Sequence, residues 1–304
     1  MKPLQLIKNF AKKLIKKLTN SSSSSSINPS DLERIDDLSS IGSRTVLLVR
    51  HRPTNQLYAL KIIYGFNEEI AREIEILRTT DNPFIIRCIG IFHSRDDIRI
   101  LLEYMDKGHI GRIGRVPEST LANITYQILQ GLAYLHGQKI IHRDLKPENI
   151  LINGQNEVKI SDFGLSRFLT GEIRICSSVV GTIKYMSPER LEKEPYDGYA
   201  SDIWSFGISI LECHLGRFPV GVYDNYSDCI MHGTFSGESP ANTSEKFKSF
   251  IKCCLKIEPS ERWTAQQLLN HPFITERDGG GNAQPFNDRN PQAASSSSSI
   301  HRHP

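Results

Sequence analysis

Residues 142–149 read HRDLKPEN and residues 162–164 read DFG. His142, Arg143, Asp144, Asn149, Asp162, Phe163 and Gly164 stand in the order and spacing that set one base and two metal ligands around a single phosphoryl group. Such a transfer needs little covalent help and much positioning: a group to orient a hydroxyl, and cations to neutralise the phosphate oxygens. Asp144 suits the first role, Asn149 and Asp162 the second.

Working outward, 304 residues exceed the size of most single cores and suit two lobes, or one domain with tails. The formal net charge of +3 is unevenly placed, because residues 1–20 hold six lysines and no acid. The remainder carries 31 basic side chains, 37 less those 6, against 34 acidic ones. A basic role therefore belongs to the N-terminus, and no nucleic-acid partner is expected. The six cysteines form no CxxC pair and have no histidines at zinc spacing, which points to reduced thiols and a cytoplasmic or nuclear setting. No apolar run approaches the ~20 residues that span a bilayer.

Leu4, Ile7, Phe10, Ala11, Leu14, Ile15 and Leu18 recur at helical spacing among lysines, so residues 1–20 read as a basic amphipathic segment. Six serines at 21–26 open a flexible linker to about residue 30, and a polar, serine-rich stretch at 276–304 reads as a disordered tail. In the body, 31–275, VLLV (46–49), LYALKII (57–63) and IRILLEYM (98–105) predict strands, with RPTNQ as a turn. Residues 68–77 predict a helix, and Ser119 a cap for a second whose Leu121, Ile124, Ile128, Leu132 and Leu135 form one stripe. Strands precede helices. That order predicts an α+β chain with a small sheet-rich lobe (31–105) and a larger helical lobe (106–275).

The two opening strings are a protein kinase signature. In that setting Lys61, in YALK, and Glu73 form an ion pair that aims the ammonium at the α and β phosphates of ATP. Alone, they would read as a surface lysine and a solvated glutamate. Lys146 can hold the transferring phosphate, and LKPEN suggests chemistry on Ser or Thr. Arg143 puts a second cation beside Asp144, of the kind an activation-loop phosphate neutralises, so regulation is expected between Asp162 and Glu189. Glu189 in SPE can pair with Arg262, and Asp202 can brace the HRD backbone. Those three are structural.

GTIKYMSPER (181–190) resembles the GTxxYMSPER of mitogen-activated protein (MAP) kinase kinases, especially those of plants. DLERI (31–35), REIEILR (72–78), LLEYMDKG (101–108), QILQGLAYLH (127–136) and NEVKISDFGLSR (156–167) are similar to the same family. The resemblance implies a bilobal, monomeric kinase that uses ATP and Mg²⁺ to phosphorylate Thr and Tyr in a MAP kinase activation loop. It implies an upstream MAP kinase kinase kinase as well. It places Val46 and Ala59 above the adenine, Leu151 beneath it, the Glu103 to Met105 backbone at its edge and Leu102 as gatekeeper. Leu38, Ser39 and Gly42 then belong to the phosphate loop.

Three departures stand out. The glycine positions of the phosphate loop fall on Ser39, Ile41 and Arg44, with only Gly42 nearby, so ATP is expected to bind more weakly or the loop to sit higher; Arg44 brings a charge of its own. In the activation loop the second phosphosite is Ser178 and the first is Glu172, whose carboxylate either supplies part of a phosphate's charge or marks a lost site. Lys61 and Glu73 are only twelve residues apart, and 109–116 is short and glycine-dotted, which predicts a looser lobe interface. Residues 12–18, KKLIKKL, fit three readings: a docking segment for the MAP kinase, a membrane-surface helix within 1–18, or a transit peptide. The alternative to an active kinase is a weakly active, pseudokinase-like module that docks cascade components. The degenerate loop favours it, whereas intact Lys61, Asp144, Asn149 and Asp162 favour the enzyme.

Overall fold

Leu32–Ile41 (β1), Arg44–His51 (β2), Gln56–Tyr64 (β3), Cys88–His93 (β4) and Asp97–Glu103 (β5) pair antiparallel in the order β1-β2-β3-β5-β4, with helix α1 (Glu68–Thr79) inserted before β4. The computed structural model describes residues 27–42, 44–65, 67–93, 97–169, 175–176, 180–192, 195–219 and 243–277. The amphipathic segment 1–20, serines 21–26, Glu172, Ser178 and residues 278–304 lie outside them. The three expected strands are β2, β3 and β5. Asn55, at φ 58°, closes the turn between β2 and β3 by donating its amide to His51 O at 2.8 Å.

Alternation sorts the sheet into two faces. Val49, Leu60 and Leu101 pack on one, with Leu47, Tyr58 and Ile62 around them. The register Val46↔Lys61↔Ile100 and Leu48↔Ala59↔Leu102 puts Val46, Ala59, Lys61 and Leu102 together on the other. Helix α1 starts at Asn67, whose Oδ1 accepts from Ile70 N at 2.9 Å, and Glu68 and Glu69 lie in its first turn. Its buried face holds Ile70, Ile74, Leu77 and, among them, Glu73.

Helix α2 (Glu118–Gly137), β6 (Ile140–Ile141), β7 (Ile150–Ile152), β8 (Val158–Ile160), β9 (Arg167–Phe168), β10 (Ile175–Cys176), α3 (Pro188–Leu191), β11 (Tyr196–Asp197), α4 (Gly198–Leu215), α5 (Glu245–Cys254), α6 (Ala265–Leu268) and α7 (Pro272–Thr275) follow. The whole is an α+β, bilobal fold, as expected. All five residues of the expected α2 stripe are buried. Ser119, however, is not the cap: Pro117, at φ −60°, is the N-cap residue and Glu118 already opens the helix. Proline fixes the entry angle there, and the Glu118 carboxylate suits the first turn.

One apolar core runs from Ile70 and Ile74 of α1 through Phe163 to Phe206, Phe250 and Phe273, joining the lobes without a break. Each such buried side chain contributes about 1.5–3 kcal/mol. Helix α4 is buried on nearly every side. It is capped by Asp197, which accepts from Tyr199 N at 2.8 Å, and ends at Gly216 in the left-handed region. Cys88, Cys176, Cys213, Cys253 and Cys254 are free thiols, and burial pushes Cys88 up to about 11 and Cys213 up to about 12. Among the described residues no helix is long and apolar enough to cross a membrane.

Candidate active site

Lys61 projects from the inner face of β3 and donates both to Glu73 Oε1 of α1 and, at 2.8 Å, to Asp162 Oδ1. Glu73 is 1% exposed, so without a cation it would be a buried, unpaired charge. Burial opposes the charge on Lys61, but Glu73 and then Asp162 outweigh it and hold the ammonium's pKa above its ordinary value. Burial likewise opposes ionisation of Asp162, yet Lys61, then Arg44 and His142, hold its carboxyl well below the usual range. Asp162 adopts φ 61°, while Phe163 behind it is fully buried against His142, ring centroids 5.4 Å apart.

The loop between β6 and β7 is fixed from below. Asp202 of α4 accepts from the amides of His142 and Arg143, each at 2.8 Å, as expected of a brace. Arg143, at φ 68°, donates Nε to Leu165 O at 2.6 Å. Above it, Asp144 is surrounded by donors. Its Oδ1 accepts from Thr182 N (2.8 Å) and Thr182 Oγ1 (2.9 Å), and its Oδ2 from Lys146 Nζ (2.7 Å) and Asn149 Nδ2 (3.1 Å). Lys146 also donates to Thr182 Oγ1 at 2.8 Å, closing a ring of three side chains. A carboxylate held this way keeps one orientation toward an incoming hydroxyl.

Asn149 spends its amide nitrogen on Asp144, with Nδ2 also 2.8 Å from Asp144 O, which assigns its carbonyl oxygen to other partners. With the Asp162 carboxylate, 40% exposed, it makes a pair of hard oxygen donors. Among the described residues no three His, Cys, Asp or Glu side chains could hold a metal alone. This donor set fits Mg²⁺, which binds through one or two carboxylates plus substrate phosphates.

Of the residues expected around an adenine, Val46, Ala59 and Leu102 share the inner side of the sheet, and Leu151 sits on β7. The Glu103 side chain turns instead to Lys159 (2.9 Å) and to Arg87 N (2.7 Å), so only its backbone remains for a base. Met105 is buried, and its carbonyl accepts from Gly108 N at 3.0 Å. In the phosphate loop, β1 and β2 stay paired through Ile41↔Arg44, with Gly42 at φ 58° in the connection. Ser39, paired with Val46, and Leu38, beside a bulge, lie along β1. Arg44 Nη1 stands 3.5 Å from Asp162 Oδ1.

Sequence reasoning did not single out Thr182, Gly181 or Arg190. Gly181 runs at φ 110°, and a Cβ there would stand 2.5 Å from Arg143 O, the same carbonyl that accepts from Arg190 Nη2 at 2.8 Å. The signal was present as the GT and the ER of GTIKYMSPER, legible only as a family string. Glu189 and Arg262 form the expected pair, at 2.6 and 2.7 Å, with the arginine side chain fully buried.

A protein kinase domain is the family whose pattern matches, over residues 39–274. The chain is 46% identical over 266 residues to mitogen-activated protein kinase kinase 7 of Arabidopsis thaliana, covering 82% of this chain and 87% of that protein. It is 45% identical to mitogen-activated protein kinase kinase 9 of the same plant, covering 82% and 86%. To mitogen-activated protein kinase kinase 1c of the moss Physcomitrium patens it is 41% identical, covering 84% and 80%.

Proposed function

The chain belongs to the protein kinases and, among them, to the mitogen-activated protein kinase kinases, and on that premise we propose how its residues divide the work. It is an ATP-dependent protein kinase of a MAP kinase cascade, with MAP kinases downstream and a further kinase upstream. The finer reading is that it phosphorylates both Thr and Tyr in the activation loop of its MAP kinase. What carries the kinase reading is the assembled site: Lys61 bound to Glu73 and Asp162 at once, and Asp144 held by four donors; the Thr and Tyr specificity rests on the family.

The adenine enters between Val46 and Ala59 above and Leu151 below, its edge against the Glu103–Met105 backbone. Lys61 takes the α and β phosphates. Asn149 and Asp162 would hold Mg²⁺, which supplies charge neutralisation on the phosphate oxygens. Asp144 orients the substrate hydroxyl and receives its proton. The hydroxyl oxygen bonds to the γ phosphorus as the bond to the β–γ bridging oxygen breaks, and ADP leaves with that electron pair. Lys146, beside Asp144, steadies the transferring group. In regulation, Ser178 is the phosphorylation switch and Arg143 the cation that its phosphate settles. Glu172 supplies standing negative charge, and Glu172→Ala should lower the rate measured without upstream kinase; an unchanged rate sinks that role.

The test of function incubates the purified chain with labelled ATP and a catalytically inactive MAP kinase bearing Thr-x-Tyr. The parent should label both residues, and Asp144→Ala should label them at least ~100-fold more slowly. Equal, poor labelling by both would overturn the enzyme reading.

A further inference from the structure

Arg44 occupies a position where the phosphate loop of this fold would carry a glycine, and its side chain is turned inward. It lies two residues before Val46 on β2, so both face the side of the sheet that bears Lys61. Its guanidinium reaches the metal-ligand carboxylate, with Nη1 3.5 Å from Asp162 Oδ1. It also rests on the glycine of DFG. A Cβ on Gly164 would stand 2.4 Å from Nη1 and 2.8 Å from Nη2, so the absent side chain is the space the guanidinium fills. Two cations, Lys61 and Arg44, therefore converge on one oxygen of Asp162.

Phosphate loops of the usual kind bind by backbone amides, which glycine lets close over the nucleotide. In this chain the loop is a hairpin paired to its last residue before the connection, with Ile41 opposite Arg44. What the backbone does not offer, the side chain does: a guanidinium presents five donors in a planar fork suited to phosphate oxygens. With 30% of the side chain exposed, Arg44 has room to turn from Asp162 to an incoming phosphate.

Building on the kinase reading, we propose that Arg44 is a phosphate-binding residue of the nucleotide site, supplying within the chain part of the positive charge that a metal ion otherwise brings with the nucleotide. ATP then binds without a divalent cation nearly as well as with one. Arg44 leaves Asp162 for the phosphates, and Lys61 and Arg44 share the polyphosphate.

Affinity for ATP and for adenosine, measured calorimetrically on the full chain in Mg²⁺ and in EDTA, tests this. The parent should bind ATP in EDTA within about fivefold of its affinity in Mg²⁺. Arg44→Ala and Arg44→Gln should each lose at least tenfold in EDTA, about 1.4 kcal/mol, and less in Mg²⁺, with adenosine affinity within twofold of the parent's. Unchanged or tighter ATP binding by either variant in EDTA overturns the proposal, since Arg44 would then be idle or an obstruction. Adenosine is the control for an intact pocket. Should Arg44→Ala lose it, Arg44→Gln, which keeps the first part of the stem and a polar but uncharged end, decides the matter. A parent that binds neither adenosine nor ATP fails as a nucleotide-dependent kinase, which is a different result from an intact pocket indifferent to Arg44.

Discussion

Gly181 joins the activation segment to the catalytic loop through a gap that admits no side chain. Its φ of 110° and the 2.5 Å that would separate a Cβ from Arg143 O both oppose substitution, and Thr182, the next residue, holds Asp144 through two bonds. Gly181→Ala should move Thr182 off Asp144 and slow phosphoryl transfer by about 10²-fold, as misplacement near 1 Å commonly does. Nucleotide affinity should change less than about twofold, and unfolding free energy should fall by about 1–3 kcal/mol for the strained backbone. Steady-state kinetics and urea unfolding check both, and a variant with parental turnover would show that the contact is dispensable. At this scale the grouping of Lys61 with Asp162 and of Asp144 with Asn149 was legible because the chemistry expected of them fixes residue type and order along the chain. Thr182 was not: a threonine amide and hydroxyl serve Asp144 only once the chain, 38 residues on, has folded back. Arg44 was legible as a missing glycine, but not as a partner of Asp162, which comes from β-sheet register.

At the scale of elements, β2, β3 and β5 were readable as short runs rich in aliphatic residues, whereas β1 was not. It is an edge strand whose register shifts twice, between Arg34 and Asp36 and between Asp37 and Ser39, so the period of two that marks a strand is broken. Ile35 and Leu38 are left 41% and 36% exposed, and no apolar face shows in the sequence. The tie between α3 and the segment after α5 was readable as a pair, Glu189 and Arg262, but not in weight. Arg262 also donates to the carbonyls of Lys256, Ile257 and Ala200 and lies over the Trp204 ring at 4.9 Å. Removing one partner of a buried pair costs about 3–5 kcal/mol, whereas replacing both by apolar groups costs less than the sum. Glu189→Leu should therefore lower the urea midpoint sharply, and Glu189→Leu with Arg262→Met should be more stable than the two single losses added together. Strict additivity would show that the carboxylate does not act through Arg262.

For the molecule as a whole, the order of strands before helices was enough to foresee two lobes, but not that one apolar core runs unbroken between them, or that its polar supports are buried carboxylates. Asp202, 1% exposed, carries the catalytic loop from inside the helical lobe. Burial opposes its ionisation, but His136 beside it, then His142 with its amide, hold its pKa below the usual carboxylate range, as Lys61 and Arg44 do for Asp162. The sign follows from linkage. A carboxyl depressed in the folded state stays ionised there after its unfolded counterpart, near pH 3.9, has taken up a proton. The stability it contributes is thus complete above that pH and is lost as pH falls toward the folded value. Stability should accordingly drop as the protein is taken from about pH 5 to pH 3, with both carboxylates contributing. Asp202→Asn should be less stable than the parent at neutral pH, because an amide cannot replace a charged acceptor of two amides and His136. It should also lose less on acidification, so the two curves of urea midpoint against pH converge toward pH 3. Parallel curves across that range would mean that Asp202 holds the loop by shape alone and that acid sensitivity arises elsewhere.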